Sequence, residues 1–277
     1  MAAASTSAEK KPFELSRVGA LTFDLLRREF VTDYGLAVAI AALPAILSFL
    51  ETRPYLQALR AQLRSPGVVA PHTPQIFSLT YLLLSLIGLL SILLIYGVLS
   101  WGAVERLEGR TPTLGEKLSA AVRALPVLTG VAILAYFAFV FASILLLIPG
   151  LILVTMWALL VPSAVTEKIG VFATFRRSSE LTRGHRWSIF LLLLIFWLGS
   201  LMVSLLSLAL EGAIFGVSVS FFLPNLTGPA SYIVLAVGIL IGGLFHVVGG
   251  VGVGVAYHEL RRSNGEYDSR SLGDVFA

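Results

Sequence analysis

The chain has 277 residues, of which 57% are hydrophobic and 13% charged, with a mean hydropathy of +0.88. Soluble domains carry about 25% charged and 45–50% apolar residues, so too little polar surface remains here for a water-soluble globule, and a polytopic helical membrane protein is expected. Cysteine is absent, which removes disulfide, thiolate and cysteine–zinc chemistry. The formal charge of +4 sits beside apolar runs rather than in a nucleic-acid patch.

Residues 1–11 are small and polar, and a disordered N-terminus is expected. Lys10, Lys11, Glu14 and Asp24 interrupt the region where a secretory signal peptide would need an apolar core. From Pro12, apolar residues recur at helical spacing through Leu26 with arginines elsewhere, predicting an amphipathic interfacial helix over 12–30. The first uncharged run, Tyr34 to Leu50, is at the short end of what spans a bilayer. Pro54, Pro66, Pro71 and Pro74 predict a loop from Glu51 to Gln75, with one short helix around residues 55–63. Ile76 to Val104 is the second span. Thr113-x-x-Glu116 then has capping-box spacing and starts a short helix through Arg123.

Ala124 to Thr166 runs without a charge and is too long for one crossing. Pro149-Gly150 divides it into two spans as a tight hairpin turn. A basic elbow follows, with a third interfacial helix over Val171 to Arg183. The fifth span starts at Ser188, and the sixth covers roughly 231–257 after a turn at Pro224 to Pro229. The expected architecture is all-α: six transmembrane helices as three hairpins, each preceded by an interfacial amphipathic helix. Residues 12–262 form the membrane domain and 263–277 a cytoplasmic tail. Of the Lys and Arg residues, 17 flank one side and three, Arg53, Arg60 and Arg64, the other. The positive-inside rule therefore puts both termini in the cytoplasm.

Two features bear on function. In the elbow, Arg176, Arg177, Arg183 and Arg186 with Trp187 form a candidate lipid- or partner-binding surface. The plainer reading, an ordinary membrane-flanking anchor, is favoured because such charge is expected there anyway. Glu167 and Arg177, ten residues apart with Gly170 between them, can fold into a clamp. In the last span Gly238, Gly242, His246, Gly250 and Gly254 recur every four residues as a packing seam. His246 is either a proton or substrate site or, as favoured, a neutral histidine bonded within the bundle.

The segment IPGLILVTMWALLVPSAVTEKIGVFATFRRSSELTRGHRWSIF resembles the central pattern of bacterial six-span proteins grouped with the glycerophosphoryl diester phosphodiesterase membrane domain. The matching positions are Pro149, Gly150, Pro162, Glu167, Gly170, Arg177, Ser178, Leu181, Thr182, Gly184 and Trp187. That family often has glycine directly after the glutamate, where Lys168 and Ile169 stand here. SRVGALTFDLLRREF and GVAYHELRR resemble the family's two cytoplasmic edges. The resemblance implies a bacterial inner-membrane module without the TIM-barrel catalytic domain that gives the family its name. His72, His185, His246 and His258 are assigned to different loops and spans, and no paired-carboxylate motif occurs. No catalytic residue, metal ligand or cofactor is therefore expected. The leading function is a non-enzymatic module organising lipids or partner proteins, in the membrane or the cytoplasm, with no nucleic-acid partner. The alternative is a small transporter, flippase or channel with a cavity near His246, Ser204 and Ser207. A lipid enzyme would have to draw on Glu105, Glu108, Glu167 and Glu259. Oligomeric state is not legible.

Overall fold

A computed structural model describes residues 13–64, 78–145, 147–215 and 230–266. Regular structure among them is helical: α1 Leu15–Arg64, α2 Leu79–Leu107, α3 Leu114–Leu145, α4 Leu147–Met156, α5 Leu160–Glu167, α6 Val171–Leu181, α7 Arg186–Phe215 and α8 Ala230–Ser263. Among the described residues six stretches are long and apolar enough to cross a membrane: Leu15–Pro54, Leu79–Leu107, Leu114–Ala142, Pro149–Glu167, Arg186–Leu206 and Ser231–Ser263. The N-terminal residues 1–11, the prolines at 66, 71 and 74, the turn at 224–229 and tail residues 267–277 lie outside the described residues.

Contacts divide the chain into two units. One comprises Met1–Glu29, Tyr96–Leu194 and Val248–Ala277, and the other Phe30–Ile95 and Ile195–Val247. In the first, α3 packs on α4, α5 and α6, and α5 on α6. Small residues set the close approaches. A Cβ on Gly97 would lie 3.1 Å from that of Ala121, and one on Gly130 would lie 3.0 Å from Val171. In the second unit Gly243 takes the same role against Val38, and the Tyr34 hydroxyl donates to the Leu240 carbonyl at 2.9 Å.

Several boundaries differ from the sequence reading. The interfacial helix and first span are one helix, α1, of 50 residues and about 75 Å. Two of its charges pair with other helices: Glu29 pairs with Arg106 and, at 2.9 Å, with the buried Lys117, and Arg17 pairs with Glu259 at 2.9 Å. Gly102 makes room for Lys117, since a Cβ there would sit 2.9 Å from its Cε. The loop expected from Glu51 is helical through Pro54 to Arg64; spanning helices tolerate an internal proline when the freed backbone group is satisfied nearby. The short helix at Thr113 likewise runs unbroken into the third span as α3. Its capping box is formed, with the Thr113 N–H donating to Glu116 Oε2 at 2.7 Å and the Glu116 N–H to Thr113 Oγ1 at 3.3 Å. Among the three expected interfacial helices, only α6 is a separate element.

Pro149-Gly150 is not the turn. Both residues are helical and lie within α4. The physical reason is that a spanning helix tolerates an internal proline when the freed backbone group is satisfied nearby. A break absent from the sequence reading separates α4 from α5 at residues 157–159. There the Leu160 N–H turns to the Trp157 carbonyl at 3.3 Å instead of continuing the α-helical ladder to Met156. The buried Ser178 of α6 closes the gap. Its hydroxyl accepts from the Leu159 N–H at 3.3 Å and donates to the Met156 carbonyl at 2.8 Å. Thr182 adds a second, longer donation to the same carbonyl at 3.4 Å.

Candidate functional site

The ends of α2, α5, α6 and α8 gather a network of alternating charges within the first unit. Arg177 projects from α6 and donates through Nε to Glu167 Oε1 at 2.7 Å and through Nη2 to Glu266 Oε2 at 2.6 Å. Tyr257 of α8 donates its hydroxyl to the same Glu167 oxygen at 2.6 Å. Arg261, one turn on, donates to Glu266 at 2.9 Å and lies 3.5 Å from Glu108. Arg110 completes the line, holding Glu105 with Nε at 2.6 Å and Glu108 with Nη2 at 3.0 Å. Each group satisfies its neighbour, which is the condition for half-buried charge to be tolerated.

Burial opposes the Arg177 charge, but the hydrogen bonds with Glu266 and Glu167 outweigh it and raise the guanidinium above its ordinary range. Burial also pushes the Glu266 carboxyl up, and its bonds from Arg177 and Arg261 more than reverse this, leaving it below the usual carboxylate range. Glu266 falls in the segment read as a cytoplasmic tail. It reaches Arg177 because α8 ends in a turn with Gly265 at φ +80°, a left-handed conformation glycine adopts freely. The network opens on a cleft of about 940 Å³, lined by five carboxylates and four cations with Trp101, Thr111 and Thr166 among the other walls.

The candidate basic surface is thereby divided. Arg177 belongs to the network, whereas Arg176, Arg183, Arg186 and Trp187 are exposed. Among the described residues Arg176 pairs only with Glu180 of its own helix, at 3.2 Å. Phe172 and Trp187 are 81% and 85% exposed, so an aromatic ring stands at each end of this corner. His185 packs its ring on Phe13 at 5.5 Å, and burial pulls its pKa down.

The glycine seam is divided as well. In the first unit a Cβ on Gly250 would lie 2.7 Å from Leu99, and one on Gly254 would lie 2.6 Å from the Ser100 carbonyl oxygen, so both are tight contacts with α2. Among the described residues, a Cβ on Gly238 or Gly242 would meet nothing within 4 Å. With His246 they line an opening of about 390 Å³ in the second unit, whose other walls include Pro44, Gly88 and Ser91. Ser204, expected at such a cavity, instead donates to the Ser200 carbonyl of its own helix at 2.8 Å, and the Ser207 side chain lies outside the description.

The sequence reading missed Tyr257, Arg261 and Glu266 as partners of the clamp. The only local signal was GVAYHELRR, which contains two of them. Among the described residues no three His, Asp or Glu side chains gather as a metal site. The chain is thus an α-helical, multi-pass membrane protein with a charged cleft in one unit and an apolar opening in the other. Comparison with protein families, with curated proteins and with solved structures finds no match to it.

Proposed function

We propose that the protein is a non-enzymatic membrane module that binds anionic lipid headgroups through the α6–α7 corner. The observation that carries this reading is the exposure of Trp187 and Phe172, at 85% and 81%, beside exposed Arg176, Arg183 and Arg186. Tryptophan suits a headgroup boundary and arginine forks match phosphate. Each basic residue near an anionic leaflet contributes on the order of 1 kcal/mol. The positive-inside count supports a cytoplasmic position for this corner and both termini, with three hairpins crossing the membrane between them. The resemblance to the phosphodiesterase-linked membrane domain supports a bacterial inner-membrane setting. Organising a protein partner through the same corner remains part of the reading.

The test is reconstitution in nanodiscs with and without anionic lipid, scored by anionic lipid retained on the purified protein. Replacing Arg176, Arg183 and Arg186 with Gln removes about 3 kcal/mol of attraction, so retention should fall by up to about 100-fold. Unchanged retention would overturn the proposal. A second reading, a small transporter, flippase or channel, draws on the opening beside His246. It predicts solute or lipid movement in proteoliposomes that Gly242→Leu blocks.

A further inference from the structure

The charged cleft has no part in that corner surface and supports a separate inference. Lys168 ends α5 with φ 53° and ψ 37°, and among the described residues it is the only non-glycine residue with positive φ. That conformation disfavours any side chain with a Cβ, and such strain is characteristic of binding sites, where the surrounding structure enforces it. The Lys168 side chain is exposed, lines the cleft and makes no ion pair among the described residues. Arg110 uses Nε and Nη2 on Glu105 and Glu108, which leaves Nη1 open. The Thr166 hydroxyl at the cleft wall is buried and has no hydrogen-bond partner among the described residues. On the acidic side, Glu116 takes both Thr113 donations on Oε2, so Oε1 is open. Lys168, Arg110 and Glu116 all line this cleft with Glu105. Two cations and one carboxylate with open atoms therefore line a single ligand-sized space.

We propose that this cleft binds a zwitterionic amine–phosphate group of the phosphoethanolamine type. Lys168 Nζ and Arg110 Nη1 take the phosphate, and Glu116 Oε1 takes the ammonium. A bare phosphate suits the cleft less well, because five carboxylates against four cations offer it no net attraction. A ligand carrying both charges meets an opposite partner at each end, and the Arg110 carboxylates fix the fork that reads the phosphate.

The full chain, purified in phosphate-free detergent, is titrated calorimetrically with phosphoethanolamine, inorganic phosphate and phosphocholine, whose amine has no N–H. It is also reconstituted in nanodiscs containing phosphatidylethanolamine, with bound lipid counted by native mass spectrometry. Phosphoethanolamine, free or as the lipid, should engage at least about tenfold more tightly than inorganic phosphate or phosphocholine. Binding only from the nanodisc identifies the source as a lipid headgroup, whereas binding of the free compound too identifies a soluble ligand. Lys168→Gly should weaken binding about tenfold or more while raising thermal stability, since glycine relaxes the left-handed backbone. Glu116→Gln keeps the capping box and should erase the preference over inorganic phosphate. The proposal is overturned by no binding in either format, by equal binding of inorganic phosphate, or by unchanged affinity in Lys168→Gly.

Discussion

The hydroxyl of Ser178 donates to the carbonyl of Met156 at 2.8 Å, joining positions 22 residues apart. It also accepts the Leu159 N–H, so one side chain supplies both backbone partners that the α4–α5 break removes. In an apolar surround those groups have no water to turn to. Ser178→Ala should therefore destabilise the protein by about 1–3 kcal/mol, read as a lower melting temperature in detergent. Thr182 at 3.4 Å can soften the loss at Met156 but not at Leu159. A variant melting like the parent would show that the hydroxyl is not what holds the break.

Arg177 and Glu167 should be energetically coupled. Both are about one-fifth exposed, and Tyr257 and Glu266 hold them from either side. In a double-mutant cycle with Glu167→Gln and Arg177→Gln, the coupling should exceed roughly 0.5 kcal/mol in thermal stability. Strictly additive losses would leave the 2.7 Å contact without energetic weight.

Glu266 makes part of this stability depend on acid. Its carboxyl titrates below the usual range in the folded chain because Arg177 and Arg261 outweigh its burial. A group with a lowered folded pKa stabilises fully above its unfolded pKa and loses that contribution as pH falls through the folded value. Parent and Glu266→Gln should therefore differ in melting temperature at neutral pH and converge in acid, below the ordinary carboxylate range. A difference that persists or grows in acid would contradict the assignment.

The two parts of the glycine series should respond oppositely. Gly254→Ala forces a Cβ to 2.6 Å from the Ser100 carbonyl oxygen, a backbone atom that cannot swing aside. Overpacking of this kind costs about 1–3 kcal/mol. Gly242→Ala enters open space and should leave the melting temperature within a degree or two of the parent or raise it, helped by the helix propensity of alanine. Equal losses at both positions would mean that the stripe packs as one seam.

What the sequence determined by itself is what composition and short spacing control. Six apolar stretches follow from hydropathy, because a helix that satisfies its own backbone is the form such runs take in lipid. The Thr113–Glu116 box is a contact across three residues, and the Glu167–Arg177 pair needs only one bend at Gly170. Tertiary structure decided the rest. Proline is compatible with either a turn or a helix, so Pro149 could not by itself mark a turn, and it lies within α4. The charges of α1 signalled an interface until Arg106 and Lys117 neutralised Glu29 from other helices. A four-residue glycine period describes one helix face, but whether that face meets a backbone, as at Gly254, or an opening, as at Gly242, depends on which neighbour lies opposite. Glu266 and Tyr257 reach Arg177 and Glu167 across 89 and 90 residues. No local pattern encodes a convergence at that separation, because it comes from the packing of whole helices.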